Sequence, residues 1–164
     1  MNDRRKRALE FAAEKHDGQI RLDGVPYITH PVAVARMLEE RGCGEDCVIT
    51  ALFHDLLEDT DATEEEIEAI GGKRVLEAVK RLTKRRGCAM ADYIAGIKAD
   101  PLAFAVKGAD RLHNLCSAVL ADEAFRRAYL LETESWYLDF APEIPAAARA
   151  LAETLKKPAA QQMP

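Results

Sequence analysis

No stretch of this 164-residue chain approaches the ~18 consecutive apolar residues that a membrane-spanning helix needs. The opening segment, MNDRRKRALE, is basic but lacks the apolar core and cleavage site of a secretory leader. No membrane association is therefore expected, and a cytoplasmic setting is. The four cysteines, Cys43, Cys47, Cys88 and Cys116, form no CxxC pair. In such a setting that argues against a disulfide framework, and small, partly buried apolar roles are expected instead. Basic charge is also short: 23 Lys and Arg stand against 28 Asp and Glu, a net charge of −5. That excludes the broad basic footprint of a nucleic-acid duplex binder, while a small anionic ligand would need only a few local cations. No period-two alternation marks a strand, and no segment repeats.

What remains is helical. With 48% hydrophobic residues the chain can bury a core, and its length predicts one domain over residues 1–157 with a disordered tail at 158–164. Apolar spacing and breakers predict helices over about 3–16, 31–41, 45–59, 63–70, 73–84, 88–99, 101–118, 121–140 and 143–157. His30 stands just before Pro31, a residue favoured at a helix's first position, and Gly42 ends the helix that follows. Thr63 with Glu66 has the spacing of a capping box, and Gly71-Gly72 breaks the pattern behind it. The expected fold is all-α, a compact helical bundle of irregular rather than four-helix type. The aromatic residues of the last third, Phe125, Tyr129 and Trp136, are expected in its core.

Three short islands stand out from this background: ITHP ending at Pro31, FHDLLEDT from Phe53 to Thr60, and VKGADRLHN from Val106 to Asn114. On a continuous helix Asp55 shares the apolar stripe of Val48, Ala51 and Leu52. A carboxylate facing a core persists only if paired or bound to a cation. His30, His54, Asp55 and Asp110 offer two imidazoles and two carboxylates from three segments, which suits one divalent ion. Glu58 and Asp59 lie one turn beyond His54 and Asp55, where an acid can orient or deprotonate water. On the third island Lys107, Asp110, Asn114 and Ser117 recur at spacings of three, four and three, making a cationic and hydrogen-bonding face for phosphate and sugar. His113 is off that stripe and His16 adjoins a turn, so both are expected to be structural. The basic run RLTKRRG, Arg81 to Gly87, is expected to be a solvated helix end. These residues predict a metal-dependent hydrolase.

The succession KHDGQIRLDGVPYITHP, ALFHDLLEDT, LTK and VKGADRLHNL resembles the HD-domain hydrolase half of the RelA/SpoT alarmone enzymes, and is similar to their stand-alone small hydrolases. The resemblance covers roughly residues 5–120, with the motifs in order. It implies an all-α HD fold and one Mn²⁺ ion on His30, His54, Asp55 and Asp110; such mixed nitrogen and oxygen ligands would also take Fe²⁺ or Zn²⁺. It places the water-activating acids at Glu58 and Asp59, and Arg21, Tyr27, Asn114 and Ser117 where a guanosine nucleotide is held. Leu22 departs from the basic residue often found after the loop arginine, and Gly108 replaces a bulkier apolar residue. The implied activity is removal of the 3′-pyrophosphate from ppGpp or pppGpp. The alternatives are an HD phosphohydrolase of another phosphorylated nucleotide and a non-catalytic alarmone-binding module. The oligomeric state has no sequence signal.

Overall fold

A computed structural model describes residues 3–156; the tail expected at 158–164 lies outside the described residues. Along the chain run α1 (Asp3–Lys15), α2 (Thr29–Glu40), α3 (Glu45–Phe53), α4 (Leu56–Asp59), α5 (Glu64–Leu82), α6 (Met90–Lys98), α7 (Pro101–Ser117), a 3₁₀ turn (Ala118–Leu120), α8 (Glu123–Trp136) and α9 (Ile144–Lys156). Among the described residues there is no strand, only an isolated antiparallel bridge between Ile20 and Pro26. The all-α class is as expected.

The chain falls into two compact units, one up to Asp110 and one from Arg111 onward, with the division inside α7. In the first unit α3 is the central rod, packed by α1, α2 and α5. Every residue from Cys47 to Phe53 is buried, and Phe53 meets Phe11 of α1 edge to face at 5.6 Å. Acids in the first turn of α3 favour its N-terminus, and Arg4 of α1 bonds one of them, Asp46, at 2.8 Å. α2 closes on a Schellman motif. The amide of Cys43 donates to Leu38 O and that of Gly42 to Glu39 O, with Gly42 at φ +76°. His30 falls inside this helix rather than ahead of it, because Thr29 already opens α2 and Pro31 sits later in its first turn.

The capping box is present, with Glu66 N donating to Thr63 Oγ1 and Thr63 N to Glu66 Oε2. α5 does not stop at Gly71-Gly72 but kinks there, Gly72 taking φ +76°, ψ 168° before the helix resumes. Asp100 accepts from the amides of Leu102 and Ala103 and so caps the start of α7, with Arg74 bonded to both its oxygens.

The second unit is held around a buried cation. Arg111 is 4% exposed, with its guanidinium 3.8 Å from the Tyr137 ring centre and 4.3 Å from that of Tyr129, and it bonds Glu132 and Thr133. Tyr129 is half-buried in this contact. Phe125 and Trp136, expected in the core, are 46% and 37% exposed. The reason is that α8 buries only a narrow stripe around Thr133. The expected helix over 121–140 ends at Trp136, and Tyr137 to Glu143 form turns before α9.

Candidate metal centre

The helix expected over 45–59 is interrupted at His54 and Asp55, and this interruption builds the site. His54 Nδ1 donates to the carbonyl of Ala51 at 2.7 Å, a side-chain bond that competes with the next backbone rung of α3. Asp55 takes φ −100°, ψ −5°, and the short α4 starts anew behind it, its amides at Glu58 and Asp59 returning to Asp55 O. Because a carbonyl can only accept, the His54 proton is fixed on Nδ1, leaving Nε2 as the lone-pair nitrogen. That atom is buried and has no hydrogen-bond partner in line with it. It lies 3.0 Å from Asp55 Oδ2 and 3.6 Å from Asp110 Oδ1.

His30 reaches the same place from α2 and Asp110 from α7. His30 Nε2 is 3.1 Å from Asp110 Oδ1 and 3.8 Å from Asp55 Oδ2. Ligand atoms of His30, His54 and Asp110 all lie within 4.8 Å of one another. Atoms bound at about 2.0–2.2 Å to one ion are separated by roughly 3–4 Å, so the measured spacings fit a single divalent cation. The second fit is chemical: a liganding imidazole ordinarily donates its other N–H to a carbonyl or carboxylate, as His54 does.

The charges are mutually dependent. Burial alone would favour neutral His54, but Asp55 and Asp110 outweigh it and push its pKa up to about 10. Burial would likewise raise the carboxyls. Asp55 is instead drawn down to about 2, chiefly by His54, and Asp110 well below its ordinary value by Lys107, His30 and His54. A proton and a metal ion thus compete for the same lone pair on His54.

Around this centre the other expected residues take distinct places. Tyr27 donates its hydroxyl to Asp55 Oδ2 at 2.6 Å, and burial together with Asp55 pushes its pKa upward. Lys107 Nζ donates to Asp110 Oδ2 at 2.9 Å. Glu58 and Asp59 are exposed on α4; burial and the Asp55 charge raise the Asp59 pKa, and Glu58 Oε2 accepts from the amide of Lys84 at 3.3 Å. Lys84 belongs to the run expected to be only a solvated helix end, so that segment also touches one of the acids. Arg21 is half-buried in the loop between α1 and α2. Asn114 and Ser117 fall in the second unit, where the Ser117 hydroxyl donates to His113 O at 3.1 Å.

Comparison with known proteins agrees with the motifs. Residues 8–144 match the family model described as HD domain. The chain is 38% identical over 144 residues to the guanosine-3′,5′-bis(diphosphate) 3′-pyrophosphohydrolase of Aquifex aeolicus (strain VF5), covering 83% of this chain and 21% of that one. It is 37% identical over 123 residues to the bifunctional (p)ppGpp synthase/hydrolase SpoT of Escherichia coli (strain K12), covering 68% and 18%. The chain thus spans about a fifth of the length of the curated relatives it matches. A solved structure, described as a metazoan ortholog of SpoT that hydrolyses ppGpp, superposes with a TM-score of 0.70 at 25% identity, covering 94% of this chain and 93% of that one. The chain belongs to the HD-domain family, with its sequence relatives among the RelA/SpoT-type alarmone enzymes.

Proposed function

We propose that this chain is a metal-dependent phosphohydrolase that cleaves ppGpp and pppGpp with water to GDP or GTP and pyrophosphate, with residues 1–157 acting as one cytoplasmic domain. The observation that carries the reading is the buried Nε2 of His54, oriented by its own Nδ1 bond and brought together with His30 and Asp110, with Asp55 Oδ2 3.0 Å away. These four residues would hold one Mn²⁺, or Fe²⁺ or Zn²⁺ in its place, since the donor set mixes nitrogen and oxygen. A divalent ion there supplies Lewis-acid chemistry, acidifying water and drawing charge from a phosphate. Glu58 and Asp59 are the groups that take the water's proton as its oxygen attacks phosphorus and the bond to the ribose 3′-oxygen breaks. Burial and the Asp55 charge raise the Asp59 pKa above its ordinary value, which makes its carboxylate a stronger proton acceptor.

Arg21 and Lys107 bring positive charge for the phosphates, and Arg21 can bind one through two parallel N–H bonds. Tyr27 serves Asp55 with its hydroxyl, and the part of its half-buried ring not packed on His16 and His30 would border the nucleoside. The helical spacing of Asn114 and Ser117 from Lys107 and Asp110 in the sequence supports their assignment to the guanosine nucleotide. Exposed Leu22 offers only apolar contact, so looser discrimination is expected than with a second basic residue there. The test is purified protein with Mn²⁺ on ppGpp beside 2′-, 3′- and 5′-phosphorylated nucleotides. Equal amounts of GDP and pyrophosphate are expected. Hydrolysis of a 5′-monophosphate with none of ppGpp would replace the alarmone by another nucleotide, and tight ppGpp binding without turnover would make the chain a sensor.

A further inference from the structure

The four-residue helix α4 carries both Glu58 and Asp59, yet so short a helix cannot hold itself in place. A strut from the loop behind α1 reaches its last residue. Gln19 Nε2 donates to the backbone carbonyl of Asp59 at 2.8 Å, filling one of the acceptors that a helix C-terminus leaves unmet. Since that carbonyl only accepts, the amide orientation of Gln19 follows, and its Oε1 faces His16 Nδ1, also at 2.8 Å. The proton of His16 is therefore on Nδ1. The imidazole is 2% exposed and packs against the Tyr27 ring, 4.7 Å away between centres. Tyr27 in turn donates to Asp55. One buried histidine is thus tied to both ends of the segment, to Asp59 through Gln19 and to Asp55 through Tyr27. Arg21 lies two residues beyond Gln19 on the same loop, whose amides of Arg21 and Tyr27 bond Val25 O and Gln19 O.

We propose that His16 and Gln19 are positioning residues for the acid pair. They lock the end of α4 so that the Asp59 carboxylate meets the attacking water, and they tie that placement to the loop that presents Arg21. The proposal rests on the hydrolase reading. It accounts for a histidine that holds no metal yet is buried against the site, and for a glutamine whose two amide atoms are both engaged.

The test uses the full chain. Gln19→Glu is isosteric: it keeps the acceptor for His16 but sets an oxygen against the carbonyl of Asp59. His16→Asn keeps a donor near the place of Nδ1, whereas His16→Phe keeps the ring on Tyr27 and loses the donor. In Gln19→Glu, hydrogen exchange of the peptide over residues 55–62 should rise about tenfold while the rest of the chain keeps its protection. With Mn²⁺ and ppGpp, kcat should fall about tenfold or more, with KM and Mn²⁺ affinity within about twofold of wild type. His16→Phe should behave like Gln19→Glu, and His16→Asn should recover most of kcat. Unchanged α4 protection in Gln19→Glu overturns the strut whatever the substrate. Faster exchange along the whole chain, or faster α4 exchange with normal kcat, overturns the positioning role. A wild-type protein inactive on every nucleotide overturns the hydrolase reading instead, and the exchange measurement tells the two failures apart.

Discussion

Gly71 lies under the residue that precedes His54, and replacing it with alanine tests how tightly the site is seated. A Cβ on Gly71 would stand 2.7 Å from Val75 Cγ1, 3.0 Å from Val75 Cβ and 3.3 Å from Phe53 Cε2. Carbon atoms in comfortable contact sit at about 3.5–4.0 Å. Rotating Val75 would move its Cγ1 but not its Cβ, and a helical valine holds one rotamer anyway. Val75 and Phe53 are both fully buried, so neither has room to retreat. Overpacking of this kind costs about 1–3 kcal/mol, against a helix-propensity gain of up to about 1 kcal/mol for Gly→Ala. With a mid-range overpacking cost of about 2 kcal/mol and the full propensity gain of about 1 kcal/mol, the net loss of about 1 kcal/mol should lower Tm by roughly 2–4 °C in a chain of this size. Gly96→Ala is the control: nothing stands within 4 Å of its Cβ position in α6, so it should raise Tm instead. Thermal unfolding by circular dichroism reads both, and Mn²⁺ titration of Gly71→Ala should show weaker binding as Phe53 is displaced. A Gly71→Ala protein as stable as wild type would refute the close-packed seat of the α3–α5 crossing.

Glu58→Gln with Asp59→Asn should retain Mn²⁺ and nucleotide but lose about 10²-fold or more in kcat, because only proton transfer is removed. Both side chains are exposed, so unfolding should be nearly unchanged, and a normal kcat would leave the two acids as solvated charges. Tyr27→Phe removes the donor to Asp55 and should weaken Mn²⁺ binding by about tenfold or more, as loss of a ligand's supporting bond does, measurable by calorimetric titration. Asp100→Asn concerns stability and pH. Burial would raise the Asp100 pKa, but the bonds from Arg74 and from the amides of Ala103 and Leu102 lower it, so the carboxylate stabilises the fold above its unfolded pKa of about 3.9. The variant should be less stable than wild type at pH 7, by about 1 kcal/mol given the half-exposed Arg74, and the gap should close as pH falls through the folded pKa. A constant gap down to acid pH in denaturant titrations would contradict the ion pair.

The sequence by itself determined the helical class and most helix ends, and it singled out His30, His54 and Asp110, whose ligand atoms the structure brings within 4.8 Å of one another. Each follows from local rules: apolar spacing, the Thr63–Glu66 box, Gly42 beyond α2, Pro101 opening α7, and carboxylates too costly to bury without a shared purpose. The break at His54 was not legible, because a helical period runs unbroken through FHDLLEDT, whereas in the structure α3 ends at Phe53 and His54 Nδ1 takes the Ala51 carbonyl. Gly71-Gly72 looked like a stop and became a kink, since packing on Phe53 and Val75 carries α5 on. Tyr27 could be placed near the site by resemblance, but its bond to Asp55 joins residues 28 apart in the chain. The strut from His16 through Gln19 to Asp59 spans 40 residues between its last two partners. Tertiary structure alone decided these, because a side chain's hydrogen-bond partner is fixed by which helices cross, and no local pattern records the crossing.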